Sequence, residues 1–225
     1  MNHRTPSREV TIRAVALAIL GCGLCAAPGA NLFVNGNFEA GNSGFATDLS
    51  YDASPPFTLS GTYAVTTDPM PWFPSDWVSM GDHTTGAGQM FLTTPYGGTA
   101  RIWFETATVV AGTTYTLSGW TARVSVDDFN IAKLSVNADT NSLGVFDLSV
   151  LPVGAWGQFS FNYTAASSGA VVFSITDLAN SDIGNDFVLD DLSMVPIPEP
   201  GPGLFTLGAL VLLKLSRHQT KPRGN

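Results

Sequence analysis

Cysteine is almost missing from this chain. Its two copies, Cys22 and Cys25, fall near the amino terminus, so everything after them must fold without disulfides and act without thiolate chemistry. Basic residues are nearly as scarce in the middle. Ten Lys and Arg stand against 18 Asp and Glu, but Arg4, Arg8 and Arg13 precede the first apolar run and Lys214, Arg217, Lys221 and Arg223 close the chain. Between Asn31 and Pro196 only Arg101, Arg123 and Lys133 remain, opposite sixteen acids, for a charge of about −13. No basic patch can meet a phosphate backbone, which argues against nucleic acid as a partner. Divalent cations such as Ca²⁺ are attracted instead. A sustained 3.6-residue apolar repeat is also missing before the tail, which excludes a helical bundle.

The abundant residues are Gly (23) and Pro (14), with charged residues at only 12%, a mix suited to short strands joined by many turns. From Asn31 to about Met194 the apolar pattern has period two. Turn residues interrupt it every eight to twelve positions. Strands are expected near Leu32–Val34, Gly44–Tyr51, Thr62–Thr66, Gln89–Thr93, Arg101–Val109, Thr114–Val124, Asn130–Asn137, Leu143–Leu148, Gly157–Thr164, Ala170–Thr176 and Phe187–Met194. Short strands at such spacing read as an all-β sandwich or jelly roll over 31–194. The run Asp68–Asp82, with three prolines, cannot feed a central ladder and reads as a long loop pinned by Trp72, Phe73 and Trp77.

Both ends read as processing segments. Residues 1–30 have a basic start, an apolar run over Ala14–Leu24 and small residues at Ala26, Ala27 and Ala30, the pattern of a secretory signal peptide whose apolar part is helical. It makes signal peptidase a partner during export. At the other end, 195–203 is a Pro/Gly spacer that no helix can cross, followed by an apolar segment at 204–215 and a basic tail at 214–225. Twelve helical residues reach only about 18 Å, short of a hydrocarbon core of about 30 Å. Transient membrane insertion suits that length better than a permanent span, and the basic end stays cytoplasmic.

Pro198, Glu199 and Pro200, the apolar run and the basic end together resemble the PEP-CTERM sorting signal, over 198–225. The resemblance implies recognition and tail removal by an exosortase. It places the protein in the cell envelope or extracellular matrix of a Gram-negative-type bacterium. An ordinary anchor helix that keeps the tail is the alternative.

The middle of the chain opens with Asn35-Gly36-Asn37-Phe38-Glu39 and closes with Phe187-Val188-Leu189-Asp190-Asp191-Leu192-Ser193. These ends resemble the galactose-binding-like jelly rolls, which include many carbohydrate-binding modules. The resemblance implies that the first and last strands lie together and share a structural Ca²⁺ through Glu39 and Asp190, with Asp82 as a further ligand. Calcium takes six to eight oxygens, mixing carboxylates and carbonyls. The alternative is that these carboxylates cap turns. Strict alternation puts Val188, Asp190, Leu192 and Met194 on one face and turns Asp191 to solvent.

Sugar binding would use aromatic platforms. Trp72 and Trp77 in the long loop are the first candidates. Trp120 is the third, because alternation sets it opposite Tyr115 and Leu117, unless a bulge at Gly119 returns it to the core. Catalytic patterns are thin. His83 is the only histidine between Asn31 and Pro196, no Gly-x-Ser-x-Gly or His-Glu-x-x-His accompanies it, and Glu39 and Glu105 are unpaired. The leading reading is therefore a non-catalytic exported protein that associates with extracellular polysaccharide. A dedicated carbohydrate-binding module and a secreted glycan-active hydrolase are the alternatives.

Overall fold

The computed structural model describes residues 29–98, 100–181 and 183–198. Residues 1–28 of the expected signal segment, Glu199, Pro200 and the rest of the sorting tail therefore lie outside the described residues, and the expected flanking helices with them.

Within the described residues the chain is an antiparallel β-sandwich. Ten strands run in order: β1 (Ser50–Tyr51), β2 (Thr62–Thr66), β3 (Met90–Thr94), β4 (Arg101–Val109), β5 (Thr114–Arg123), β6 (Lys133–Ala138), β7 (Asn141–Asp147), β8 (Gly157–Thr164), β9 (Gly169–Asp177) and β10 (Phe187–Pro196). One sheet has the order β1-β2-β3-β10-β5-β8 and the other β4-β9-β6-β7. Only the two-residue β1 pairs in parallel, with β2. Alternation explains the core between the sheets. Tyr63, Phe91, Tyr115, Leu117, Phe187 and Leu189 of the larger sheet meet Trp103, Leu134, Val136, Phe173 and Ile175 of the smaller one.

Two expected strands dissolve into bonds of another kind. Leu32–Val34 forms no ladder. Instead Asn31 Oδ1 accepts from Met194 N at 2.8 Å, Leu32 N donates to Met194 O at 2.9 Å, and Gly36 O accepts from Leu192 N at 2.8 Å. The first segment thus lies along the last strand, as the jelly-roll resemblance implies. Gly44–Tyr51 makes one bridge to the smaller sheet at Ala46↔Phe104 and then crosses to the larger one as β1. A segment that serves both sheets cannot be one strand.

The bulge sits in β10, not at Gly119. Asp190 pairs with Trp120, but the next pair is Ser193↔Ser118, and Asp191 between them has φ +49°. Gly119 keeps register, and an added Cβ there would lie 2.4 Å from Leu192 Cδ2. Its missing side chain makes room for Leu192 in the core. The bulge also corrects the expected facing of β10. Val188 and Asp190 stay on the outer face, while Leu192 and Met194 turn into the core.

The outer face of the larger sheet carries a second apolar layer. Ala64, Met90, Leu92, Ala122, Val124 and Val188 are covered there by Phe57, Trp72 and Trp77 from the loop between β2 and β3 and the segment before β2. The proline-rich loop is a lid over one half of the sheet. The other half, with Gln158, Ser160 and Asn162 of β8, stays exposed and polar.

Candidate functional site

Four expected site residues converge on the 81–89 turn. Asp190 is fully buried on the outer face because the turn folds over it. Its Oδ2 accepts from His83 N at 2.8 Å and Thr84 N at 3.3 Å, and its Oδ1 from Asp191 N at 2.8 Å. Burial pushes this carboxyl up to about 6, and the adjacent Asp191 charge adds to the rise, against the pull of those N–H groups. Asp191 does not face solvent freely. It takes His83 Nδ1 at 2.7 Å and Thr84 Oγ1 at 2.8 Å, because the left-handed bulge redirects it to the turn. The His83 ring then lies on Trp120, with centroids 3.8 Å apart and planes 16° apart, and Trp156 meets its edge at 5.8 Å. Trp120 is on the outer face, but His83 covers one side of it.

Glu39 and Asp82 flank the same turn. Glu39 Oε1 accepts from Gln89 N at 3.0 Å, and Asp82 accepts from Thr85 N at 2.9 Å and Gly88 N at 2.7 Å. Burial alone would raise the Asp82 carboxyl; those N–H groups outweigh it and hold it below its ordinary value. A Cβ on Gly88 would lie 1.9 Å from Glu39 Oε1 and 3.0 Å from Asp82 Oδ2, so both carboxylates border the space a side chain would fill. Among the described residues no three His, Asp or Glu side chains form a metal-ligand group. A hard cation at this turn would be held by Glu39 and Asp82, sharing their oxygens with the N–H groups they already accept. Asp190, fully buried, is engaged by the N–H groups of His83, Thr84 and Asp191.

Trp72 and Trp77 belong to the lid, and each is only 5% exposed. Trp72 donates its indole N–H to Thr66 Oγ1 at 3.0 Å and packs against Phe57. Trp77 is different, since it borders a pocket of about 240 Å³. Phe57, Leu59, Phe73, Trp77 and Ile183 supply its apolar lining, and Ser60, Thr94, Asp76 and Asp186 its polar lining. Phe73 is 42% exposed, and its ring lies 5.7 Å from that of Trp77. Trp77 Nε1 donates to Asp186 Oδ2 at 3.2 Å, whereas Asp186 Oδ1 is buried with no hydrogen-bond partner. Burial pushes Asp186 up to about 6. Thr94 and Trp77 pull it down, and the charges of Asp76 and Asp127 raise it further.

Asp186 and Asp76 were not singled out from sequence. A signal existed for the first. The alternation that marked Asp190 as a carboxylate on an apolar face marks Asp186 equally, two residues before Val188. His83 reads from sequence as a surface residue because its partners Asp191 and Trp120 are far away along the chain. Its Nδ1 is paired, and among the described residues its Nε2 makes no hydrogen bond to a nucleophile.

No protein-family model and no curated protein sequence matches the chain. Among solved structures it is similar to the Stig cyclase Fisc from Fischerella sp. TAU, at 10% identity and TM-score 0.55, over 77% of this chain and 100% of that one. It is also similar to the CBM22-1 xylan-binding domain of Paenibacillus barcinonensis Xyn10C, at 11% identity and TM-score 0.49, covering 78% of this chain and 99% of that one. A third is TmCBM61 in complex with β-1,4-galactotriose, at 12% identity and TM-score 0.48, over 75% and 99%. The cyclase likeness shows a shared sandwich fold. A fold held in common at such identity leaves the chemistry to the site.

Proposed function

We propose that this protein is a non-catalytic, exported, carbohydrate-binding protein whose sandwich holds an extracellular polysaccharide at the pocket beside Trp77. The observation that carries the reading is one pocket lined both by an exposed aromatic ring, Phe73, and by Asp186, a carboxylate whose Oδ1 is buried without a hydrogen-bond partner. Sugars offer both halves of the match. Their C–H faces pack on aromatic rings, and their hydroxyls donate to a carboxylate. A volume of about 240 Å³ lies below the about 300–1,000 Å³ of drug-sized sites, which suits one sugar residue at a time. The acidic surface disfavours polyanionic glycans.

The test is a glycan array on the purified protein, repeated with Phe73→Ala. Because Phe73 is half exposed, its loss should leave the fold intact and weaken binding about tenfold, the worth of a good aromatic contact. No glycan bound, or binding indifferent to Phe73→Ala, would overturn the assignment. Turnover of a bound glycan, abolished by one carboxylate variant, would replace it with the hydrolase reading.

Export rests on the basic-then-apolar start and on the Pro198-Glu199-Pro200 ending with its apolar and basic continuation. Exosortase sorting predicts that the mature surface form loses the chain from the neighbourhood of Pro198 onward. Intact mass of that form decides it, and retention of Lys214–Asn225 favours a plain anchor. Calcium belongs to the same reading as a structural ion at the 81–89 turn, supported by the proximity of the Glu39 and Asp82 carboxylates beside Gly88.

A further inference from the structure

The pocket's charge says more than its shape. Its polar groups include Asp76 and Asp186, and Asp127 is close enough to repel Asp186. Among the described lining residues there is no Lys, Arg or His. Arg123, the nearby cation of β5, is turned away, donating to Asp127 O at 2.7 Å and to Asp128 Oδ1 at 2.6 Å. Asp76 Oδ2 accepts only a hydroxyl, Ser125 Oγ at 3.1 Å. Asp186 lines the pocket at 7% exposure, and its Oδ1 is buried without a hydrogen-bond partner. A neutral sugar hydroxyl would give Asp186 a donor but would leave its charge unanswered.

Resting on the carbohydrate reading above, we propose that the pocket selects an amino sugar, a residue whose free ammonium is held between Asp186 and Asp76 while its ring lies against Phe73. The ammonium supplies several donors and a full positive charge, where a hydroxyl supplies one donor and none. Charge-assisted hydrogen bonds are about twice as strong as neutral ones. The polysaccharide so recognised would be one with unacetylated amino groups. An acetamide in the same position removes the charge and adds bulk.

The pH window follows from the two partners. An amino sugar's ammonium, comparable to an α-amino group, loses its proton at about 7.7–8.0. Asp186, held up at about 6 by burial and by repulsion from Asp76 and Asp127, is neutralised below that value. Preference for the amino sugar should therefore peak between the two and fade on either side.

The experiment is binding of the purified protein to matched glycans that differ only at C2, carrying hydroxyl, acetamide or ammonium on gluco- and galacto-configured chains. At pH 7 and low salt, the ammonium form should bind about tenfold tighter than the hydroxyl form, the size of one charge-assisted bond. That margin should shrink with added salt and on acidifying below pH 6. Asp186→Asn should remove the margin, weakening ammonium-form binding about tenfold more than it weakens hydroxyl-form binding. If that variant fails to fold, the half-buried Asp76→Asn should halve the margin or more. Equal binding of hydroxyl and ammonium forms overturns the amino-sugar inference and leaves the carbohydrate reading standing. Failure of every matched glycan, and of the wider array, removes both.

Discussion

Single residues here are positioned by the backbone groups they satisfy. The bulge in β10 takes Leu192 N–H out of the ladder, and Gly36 O accepts from it. Leu192 O is left likewise, and Asn31 Nδ2 donates to it at 3.0 Å. Gly36 can come that close only without a side chain, since a Cβ would lie 2.0 Å from Leu192 O. At the 81–89 turn the same logic applies with carboxylates in place of carbonyls. Glu39 and Asp82 both lie close beside Gly88, where two carboxylates repel one another. A bound Ca²⁺ would relieve that repulsion, and an ion that binds only the folded state stabilises it by about 2.7 kcal/mol at a hundredfold excess over its dissociation constant. Millimolar Ca²⁺ is therefore expected to raise the melting temperature over that in EDTA, with equimolar Mg²⁺ doing far less because it fits a flexible oxygen cage poorly. Glu39→Gln should abolish the response. Asp190→Asn should lower the melting temperature while keeping it, because Asp190 is committed to the N–H groups of His83, Thr84 and Asp191. Identical melting of the wild type in Ca²⁺ and EDTA would return Glu39 and Asp82 to turn-capping roles.

At the level of elements, legibility followed locality. Arg101–Val109, Gly157–Thr164 and Thr62–Thr66 are bounded as alternation and turn residues place them, because a strand's facing pattern is written in its own residues. The segments that mislead are those whose partners are distant. Leu32–Val34 alternates like a strand, yet it meets β10 only beyond Leu189, where the β3 pairing has ended and the bulge at Asp191 breaks the register, so its segment makes isolated bonds to Leu192 and Met194 and no ladder. A bulge at Gly119 is one option the sequence offers, since glycine marks irregular strands. The irregularity sits across the ladder instead, at Asp191, where a carboxylate tolerates the left-handed conformation and finds His83. The lid shows the same limit. Its prolines correctly rule out a strand, but nothing local says that Trp72 and Trp77 fold back onto an outer sheet face. Six apolar positions on that face, among them Met90, Leu92 and Val188, are the distributed signal of a second layer. Legible in sequence were the carboxylates at the turn; the pocket was not, because Phe57, Asp76 and Asp186 come from three separate stretches of chain.

For the molecule as a whole, acids outnumber bases by far, and their environments divide into two groups. Asp186 and Asp190 are pushed by burial to about 6, from an ordinary value of 3.8. Asp177 and Glu105 are raised by burial too, and Glu105 Oε2 is buried without a partner. Asp48 lies below its ordinary value through its bonds to Arg101, and Asp82 and Asp147 lie below theirs because hydrogen bonds outweigh burial. For the raised group, the folded chain binds protons more tightly than the unfolded one. Their contribution to stability is fully present below 3.8 and is lost as pH rises through about 6. For the lowered group the contribution is present above 3.8 and disappears as pH falls through the depressed folded values. The two opposing slopes, with self-repulsion of the net negative surface added at neutral pH, place maximal stability between 3.8 and 6. Thermal melting in EDTA across pH 3 to 8 should therefore show a maximum at the acid end of that interval and a decline toward neutrality. Asp186→Asn removes one of the two groups with the highest values, so it should flatten the decline between about pH 5 and 7 and leave the acid limb in place. A melting temperature that climbs steadily to pH 7 in the wild type would mean that Asp186 and Asp190 ionise at ordinary values, and that the carboxylate at the pocket meets a donor already.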